Sequence, residues 1–225
     1  MRRHRVRTAA VLTGVALTTS LLSFTAAPAP GSTTTPVSAR WVIEPSRFPG
    51  VAAVARIFPA YRGGGREFLG GRQASTTTDD CLGYELSGVQ PRAGRTAHYY
   101  ARGGQSPFFS GGTSVVVSVS DYRRPKRAQA ALDEQRAAVE ACYGRHLDPD
   151  GYGVTYTALD VPDLAQDQFA FRYITHDVGV GRDWFISTYA REGRFLLQAR
   201  VQRDRDAPAV RPAFRLARAG VRAVS

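Results

Sequence analysis

The sequence predicts an α+β fold, in which a mostly antiparallel sheet is flanked by helices and one disulfide closes the domain. Three observations lead to this prediction. A β-branched run that begins at Thr113 continues directly into a helix-forming segment that ends at Cys142. Three β-rich segments follow with short connections, which is typical of an antiparallel meander. The chain has two cysteines, Cys81 and Cys142.

The first 27 residues have the order of a signal peptide. A basic start with four arginines precedes an uncharged stretch from Thr8 to Ala27. Its apolar core is short and broken by polar residues, whereas a membrane anchor needs about 20 apolar residues. We therefore predict cleavage near Ala27 or Ala29, a secreted or cell-envelope-associated protein, and no transmembrane segment in the mature chain.

The mature chain is predicted to be cationic. Removal of the four leader arginines leaves 26 basic and 19 acidic side chains from the 30 and 19 of the full sequence. A basic field attracts polyanions, so an anionic cell-envelope surface is a possible partner. Lys126 is the single lysine beside 29 arginines, and a GC-rich genome that encodes arginine wherever a cation is tolerated accounts for that bias. Nucleic acid is therefore the less favoured partner.

The segments after the leader differ sharply in composition. Residues 28–40 are rich in Pro, Thr and Ser and predict a linker. Residues 41–75 predict an N-terminal helix near residues 49–58 and a glycine-rich connection. The glycine, serine and threonine content of 62–78 predicts that this stretch is a flexible connection. The packed domain is predicted to occupy residues 76–225, which is ample length for one hydrophobic core.

The centre of the domain predicts a strand that leads into a helix. Thr113 to Ser120 is the strand, and Pro125 starts the helix that continues to Cys142. The helix has one buried face at three-and-four spacing. That face consists of Ala128, Leu132, Gln135, Val139 and Cys142.

Two cysteines in an exported chain of this size indicate one disulfide, Cys81–Cys142, because oxidising compartments preserve the bond. Closing a loop of about 60 residues restricts the unfolded chain by roughly 4 kcal/mol. The alternative is a pair of buried free thiols.

The last third predicts the meander and a second helix. The strands are Gln168 to Ile174, Trp184 to Ala190 and Arg194 to Val201, with Gly193 in the turn before the last of them. Ala207 to Val224 predicts an amphipathic helix whose arginines lie opposite its apolar side. Such a helix more commonly packs on its own sheet than on a membrane.

The search for chemistry identifies no catalytic residue, no metal site and no cofactor. His98 lies in an apparent strand, and no nucleophile elbow or phosphate loop is present. His176 lies in a polar segment with Asp177 and Asp183, but the three lack any recognised metal spacing, and a solvated turn is favoured. A secreted hydrolase with an unrecognised site is held as a minor alternative.

The order of the elements resembles the PknH-like extracellular sensor-domain family of actinobacterial proteins. The resemblance covers residues 41–224 and is carried by the strand Ser114 to Val119, the helix that closes on Cys142, and the meander. It implies an exported or tethered domain with a sheet, flanking helices and a cleft for an unidentified ligand. One cysteine pair is present where kinase-attached members have two, and no kinase or membrane anchor precedes the domain. Both departures weaken an inference of signalling.

The leading hypothesis is a secreted, non-catalytic, sensor-like domain that binds a small or envelope-derived ligand in a groove. Aromatic and cationic groups recur on neighbouring predicted strands, which makes Arg172, Tyr173, His176 and Trp184 the candidate ligand-binding residues. The alternative is a cationic surface protein that adheres to anionic envelope polymers or lipid.

Overall fold

The computed structural model describes residues 43–70, 74–103, 112–149, 151–177, 181–204 and 206–225. The predicted signal peptide and the linker over 28–40 lie outside these residues and stay predictions. The described residues form three α-helices, α1 (Val51–Ile57), α2 (Pro125–Ala141) and α3 (Val210–Val224). None of the helices within the described ranges is long and apolar enough to span a membrane.

Eight antiparallel strands form the large sheet, which confirms the predicted α+β class. Their spatial order is β1 (Gly65–Gly70), β4 (Ala93–Tyr100), β5 (Thr113–Asp121), β10 (Phe195–Asp204), β9 (Gly181–Glu192), β8 (Asp167–Asp177), β7 (Gly153–Leu159) and β6 (Gly144–Leu147). A separate hairpin pairs β2 (Ser75–Thr77) with β3 (Tyr84–Leu86). The meander is confirmed as β8, β9 and β10, and Gly193 takes a φ of 55° in the turn between the last two.

The predicted flexible connection over 62–78 is wrong in its secondary structure. Gly65–Gly70 is the edge strand β1, which pairs with β4 from Gly65↔Tyr100 to Gly70↔Arg95. Glycine has low β propensity, so the local sequence conceals a strand whose formation depends on partners 25 to 35 positions later. Ser75–Thr77 likewise forms a strand only by pairing with β3.

One face of the large sheet is covered by α1 and α3. Alternate residues of the central strands point to this face, among them Val117 on β5, Ile186 on β9 and Leu197 on β10, and all three are fully buried. Leu216 on α3 joins the same cluster. Gly220 lets α3 approach closely, because a Cβ there would lie 2.3 Å from the Leu197 side chain. The predicted C-terminal helix therefore packs on its own sheet.

The opposite face carries α2 and the β2–β3 hairpin. Aromatic rings from β7, β8 and β9 form a stacked series on it, with Tyr156 and Tyr173 centred 5.7 Å apart and Tyr173 and Phe185 4.2 Å apart. Burial of these large rings against α2 stabilises this side of the sheet.

The Cys81–Cys142 disulfide is confirmed. The two Cα atoms are 5.5 Å apart, and the bond joins residues separated by 61 positions. Cys81 lies in the loop of the β2–β3 hairpin and Cys142 directly follows α2. The bond therefore fixes the hairpin to the end of the helix on the same face of the sheet.

Candidate functional site

A cavity of about 340 Å³ lies between the sheet and the layer formed by α2 and the β2–β3 hairpin. The sheet provides its floor, and the helix and hairpin provide its wall. Its volume is in the range of small-molecule sites, which are usually a few hundred cubic ångströms. We refer to it as the sheet cavity.

One half of the floor is polar. Thr96 on β4, Ser118 on β5, and Gln198 and Arg200 on β10 line the cavity. Their side chains share a face because residues two apart on a strand point the same way and cross-strand partners face each other. Thr96 pairs with Ser118, and their hydroxyl oxygens are 2.9 Å apart. This half therefore offers hydroxyl, amide and guanidinium groups side by side.

The other half of the floor is aromatic. Tyr156, Phe171, Tyr173 and Tyr189 line it, and the rings of Phe171 and Tyr189 lie within 13° of parallel at 6.2 Å. Burial raises the pKa of the Tyr173 and Tyr189 phenols well above their usual value, because desolvation disfavours the phenolate. Both phenols are therefore neutral at physiological pH, where they can donate a hydrogen bond.

The wall of the sheet cavity is held in place by hydrogen bonds as well as by the disulfide. Gln135 on α2 donates from Nε2 to the Ser75 carbonyl of β2 at 2.7 Å. The Glu134 carboxylate accepts bonds from the Ser87 hydroxyl at 2.7 Å and the Gly88 amide at 2.6 Å. These bonds fix the segment after β3 to α2, so the hairpin and helix form one wall.

Arg200 is a charged group in the polar half of the floor. It is half-buried and has no carboxylate partner within the described ranges. Its charge acts on its neighbours: the pKa of His98 is lowered first by burial and then by the Arg200 guanidinium. The described lining of the cavity includes no carboxylate, histidine or thiol.

The four ligand-binding residues predicted from the sequence lie on two different faces. Tyr173 lines the sheet cavity. Arg172 pairs with Ile186, Trp184 pairs with Ile174, and these positions alternate with Tyr173, so they point to the face that carries α3. His176 shares that face, and its Nε2 lies 3.2 Å from the Thr155 hydroxyl. The structure therefore does not bring the four together, and ligand binding at them stays a prediction.

The segment around His176 is more ordered than the predicted polar turn. Strand β8 continues to Asp177 and β9 begins at Gly181, and His176 pairs with Arg182 across the hairpin. The pKa of His176 is lowered, by burial first and then by the charges of Arg182 and Arg145. The side chain of Asp177 lies outside the description, and the described residues contain no cluster of metal-ligating side chains.

Arg200 and Gln198 are residues of the candidate site that sequence reasoning missed. A signal was available, because the predicted strand Arg194 to Val201 alternates apolar Leu197, Ala199 and Val201 with polar Gln198 and Arg200. A polar residue on the second face of a central strand indicates either solvent or a site. The cross-strand partners that complete the cavity could not be chosen without the register.

A second concave surface, which we call the arginine groove, lies between α1 and α3. It encloses about 600 Å³, and its apolar floor includes Phe48, Ile57 and Ala219. Four exposed arginines line it, and no ion pair within the described ranges neutralises them. They are Arg56, Arg215, Arg218 and Arg222.

Comparison with known proteins shows the fold. No protein-family model and no curated protein matches the chain. The crystal structure of the extracellular domain of PknH from Mycobacterium tuberculosis is similar, with a TM-score of 0.53 and 12% identity over 80% of this chain and 93% of that chain. An X-ray structure of an Rv0999 ortholog from Mycobacterium smegmatis matches at 13% identity and a TM-score of 0.42, over 80% of this chain and 98% of that one. The chain therefore has the fold of the PknH extracellular domain, as the element order indicated.

Proposed function

We propose that this chain is a non-catalytic, sensor-like domain that binds a small or envelope-derived ligand in the sheet cavity. The observation that carries the proposal is a cavity of about 340 Å³ with a polar and an aromatic half. Small-molecule sites have this composition, because apolar groups supply binding energy and a few polar groups fix orientation.

The lining supports binding rather than catalysis. The titratable side chains that line the described cavity are arginines and tyrosines. Arginine keeps its proton throughout the physiological range, and burial raises the pKa of the Tyr173 and Tyr189 phenols. None of these groups can exchange a proton readily near pH 7, which general acid–base catalysis requires.

An extracellular location is part of the proposal. A disulfide persists in oxidising compartments, and the solved structure with the same fold is described as an extracellular domain. N-terminal sequencing of the exported protein tests this: a mature start just after Ala27 or Ala29 supports it, and an intact Met1 in a protein retained inside the cell contradicts it.

Ligand binding is tested by filling the sheet cavity from its floor. Ser118→Trp places a large ring in the polar half of the floor, between Thr96 and Gln198. Ser114→Trp is the matched control, because Ser114 lies on the same face of β5 outside the cavity lining. Native mass spectrometry of protein purified from its own culture medium should show a bound small molecule in wild type and in Ser114→Trp but not in Ser118→Trp. Equal occupancy in both variants would contradict the proposed site.

The same measurement tests the sequence-predicted residues on the other face. Occupancy that survives Arg172→Ala combined with Trp184→Ala would remove these positions from the ligand site. Loss of the bound molecule in that variant alone would move the site to the α3 face of the sheet.

A second candidate function is adhesion to an anionic envelope surface through the arginine groove. Arg211, Arg215, Arg218 and Arg222 are exposed at spacings of three and four, and α3 contains no acidic residue. Like charges at that spacing repel one another on a helix. A preference for arginine over lysine does not explain the absence of Asp and Glu from this helix, whereas an anionic partner does.

Vesicle sedimentation tests the adhesion function. Wild type should bind phosphatidylcholine vesicles that contain phosphatidylglycerol, and binding should fall steeply as ionic strength rises. A triple variant, Arg215→Gln with Arg218→Gln and Arg222→Gln, should lose it. Arg127→Gln with Arg145→Gln and Arg182→Gln removes the same charge from exposed positions elsewhere and is the control. Equal losses in both triple variants would show that net charge alone acts.

A further inference from the structure

We infer that the ligand of the sheet cavity is a small amphipathic anion, whose carboxylate or phosphate group pairs with Arg200 and whose apolar body lies against the aromatic half. This inference rests on the proposed function and adds the chemical class of the ligand. It depends on the lack of an acceptor for Arg200 within the described residues, on the donors around Arg200, and on the aromatic lining.

Several half-buried arginines have an acceptor within the chain, either a carboxylate or, for Arg95, the Ile43 carbonyl at 2.9 Å. Arg92 lies 2.6 Å from Asp121, and Arg136 lies 2.6 Å from Asp167. Arg200 is also half-buried but has no such partner in the described part of the chain. Removing a guanidinium from water without a counter-charge is unfavourable, and a ligand anion would offset that cost.

The neighbours of Arg200 suit an anionic group. On the adjacent strands it faces Val116 on one side and Ser187 on the other, and Gln198 shares its face two residues earlier. Ser118 and Thr96 extend this set of donors across β5 and β4. Hydroxyl and amide donors around one guanidinium can bind several oxygens of a carboxylate or phosphate at once.

The aromatic half suits an apolar body. Phe171 and Tyr189 line it with ring centroids 6.2 Å apart. Aromatic side chains supply a large apolar surface that a hydrophobic group can contact. The phenols of Tyr173 and Tyr189 are neutral because burial raises their pKa, so they do not compete as anions for Arg200.

Isothermal titration calorimetry with charged and neutral probes that share an aromatic ring tests the inference. The probes are 2-naphthoate with 2-naphthamide, and phenyl phosphate with phenol. Wild type should bind the anion of at least one pair about tenfold or more tightly than its neutral partner, because a charged hydrogen bond contributes that much. Comparing the two anions shows whether the site takes carboxylate or phosphate.

Variants of Arg200 locate the effect. Arg200→Gln should weaken anion binding by about tenfold to hundredfold and leave the neutral probe within about threefold. Arg200→Lys, which keeps the charge without the planar fork, should restore part of the loss. Arg182→Gln removes the same charge from an exposed position on β9 and should change neither affinity. If Arg200→Gln does not fold, the paired probes on wild type and Arg200→Lys still decide the question.

The outcomes separate this inference from the proposed function. Equal affinity for the charged and neutral probes, abolished for both by Ser118→Trp, would overturn the anionic class and leave the cavity as a ligand site. Anion binding unchanged by Arg200→Gln would also overturn it. No binding of any probe to wild type, combined with an empty cavity in the purified native protein, would overturn both.

Discussion

Reduction of the Cys81–Cys142 disulfide is expected to lower the free energy of unfolding by about 4 kcal/mol. The bond joins residues 61 positions apart, and the chain-entropy relation gives about 4 kcal/mol for a loop of that length. Reduced wild type is the appropriate sample, because it keeps both sulfur atoms and loses only the crosslink. Cys81→Ala with Cys142→Ala should lose more, because both side chains are almost fully buried.

Urea unfolding followed by far-ultraviolet circular dichroism measures the change. Oxidised and reduced samples are compared by extrapolation to zero denaturant, since removing the crosslink also alters the unfolded state and hence the slope. A difference below about 1 kcal/mol would refute the loop-entropy argument.

The same samples test whether the disulfide positions the cavity wall. The Glu134 and Gln135 contacts do not involve the sulfur atoms, so we expect affinity for a cavity ligand to fall severalfold on reduction rather than vanish. If the reduced protein is folded and binds as tightly as the oxidised protein, the bond stabilises the fold without shaping the site.

Three further changes have expected outcomes. Asp121→Asn should lower the free energy of unfolding by about 3 kcal/mol, because a buried carboxylate pairs there with Arg92 and Arg194. Asp133→Asn removes a carboxylate from an exposed ion pair and should lower it by less than about 1 kcal/mol. The same urea measurement determines both values. In the folded protein the pKa of His98 is lower than its usual value of 6.5, so the unfolded chain binds more protons near that pH. Stability should therefore fall as the pH drops below about 6.5. His98→Gln should make melting temperatures measured across pH less dependent on pH in this range. Glu134→Ala should increase amide hydrogen exchange at Gly88 and the β2–β3 hairpin, and unchanged exchange would contradict its role in the wall.

The sequence was sufficient for the elements that carry their own periodicity. The run from Thr113, the helix from Pro125 and the last three strands are confirmed because alternation or helical spacing is visible within each segment. Strand β1 was not predictable in this way, because its glycines have no local preference for a strand and its stability comes from pairing with β4.

The site was harder to predict because it depends on which residues of neighbouring strands pair with each other. Alternation alone separates Arg172 from Tyr173, so those two could have been assigned to opposite faces from the sequence. Placing Ser118 beside Gln198 requires the pairing of β5 with β10, which joins positions 80 residues apart. No pattern within either strand specifies that pairing, and the polar half of the cavity depends on it.

The two faces of the sheet are packed differently, and this difference accounts for the cavity. On the α3 face, the branched side chains of the central strands meet Leu216 and the close approach at Gly220, which closes the core. On the other face, the α2 residues that line the cavity are Gln135, which bonds to the hairpin, and Val139. The short serine and threonine side chains of the floor leave space beneath them. The well-packed α3 face can stabilise the sheet. On the α2 face, the disulfide and Glu134 fix the hairpin to α2, so the wall of the sheet cavity keeps its position and the cavity persists.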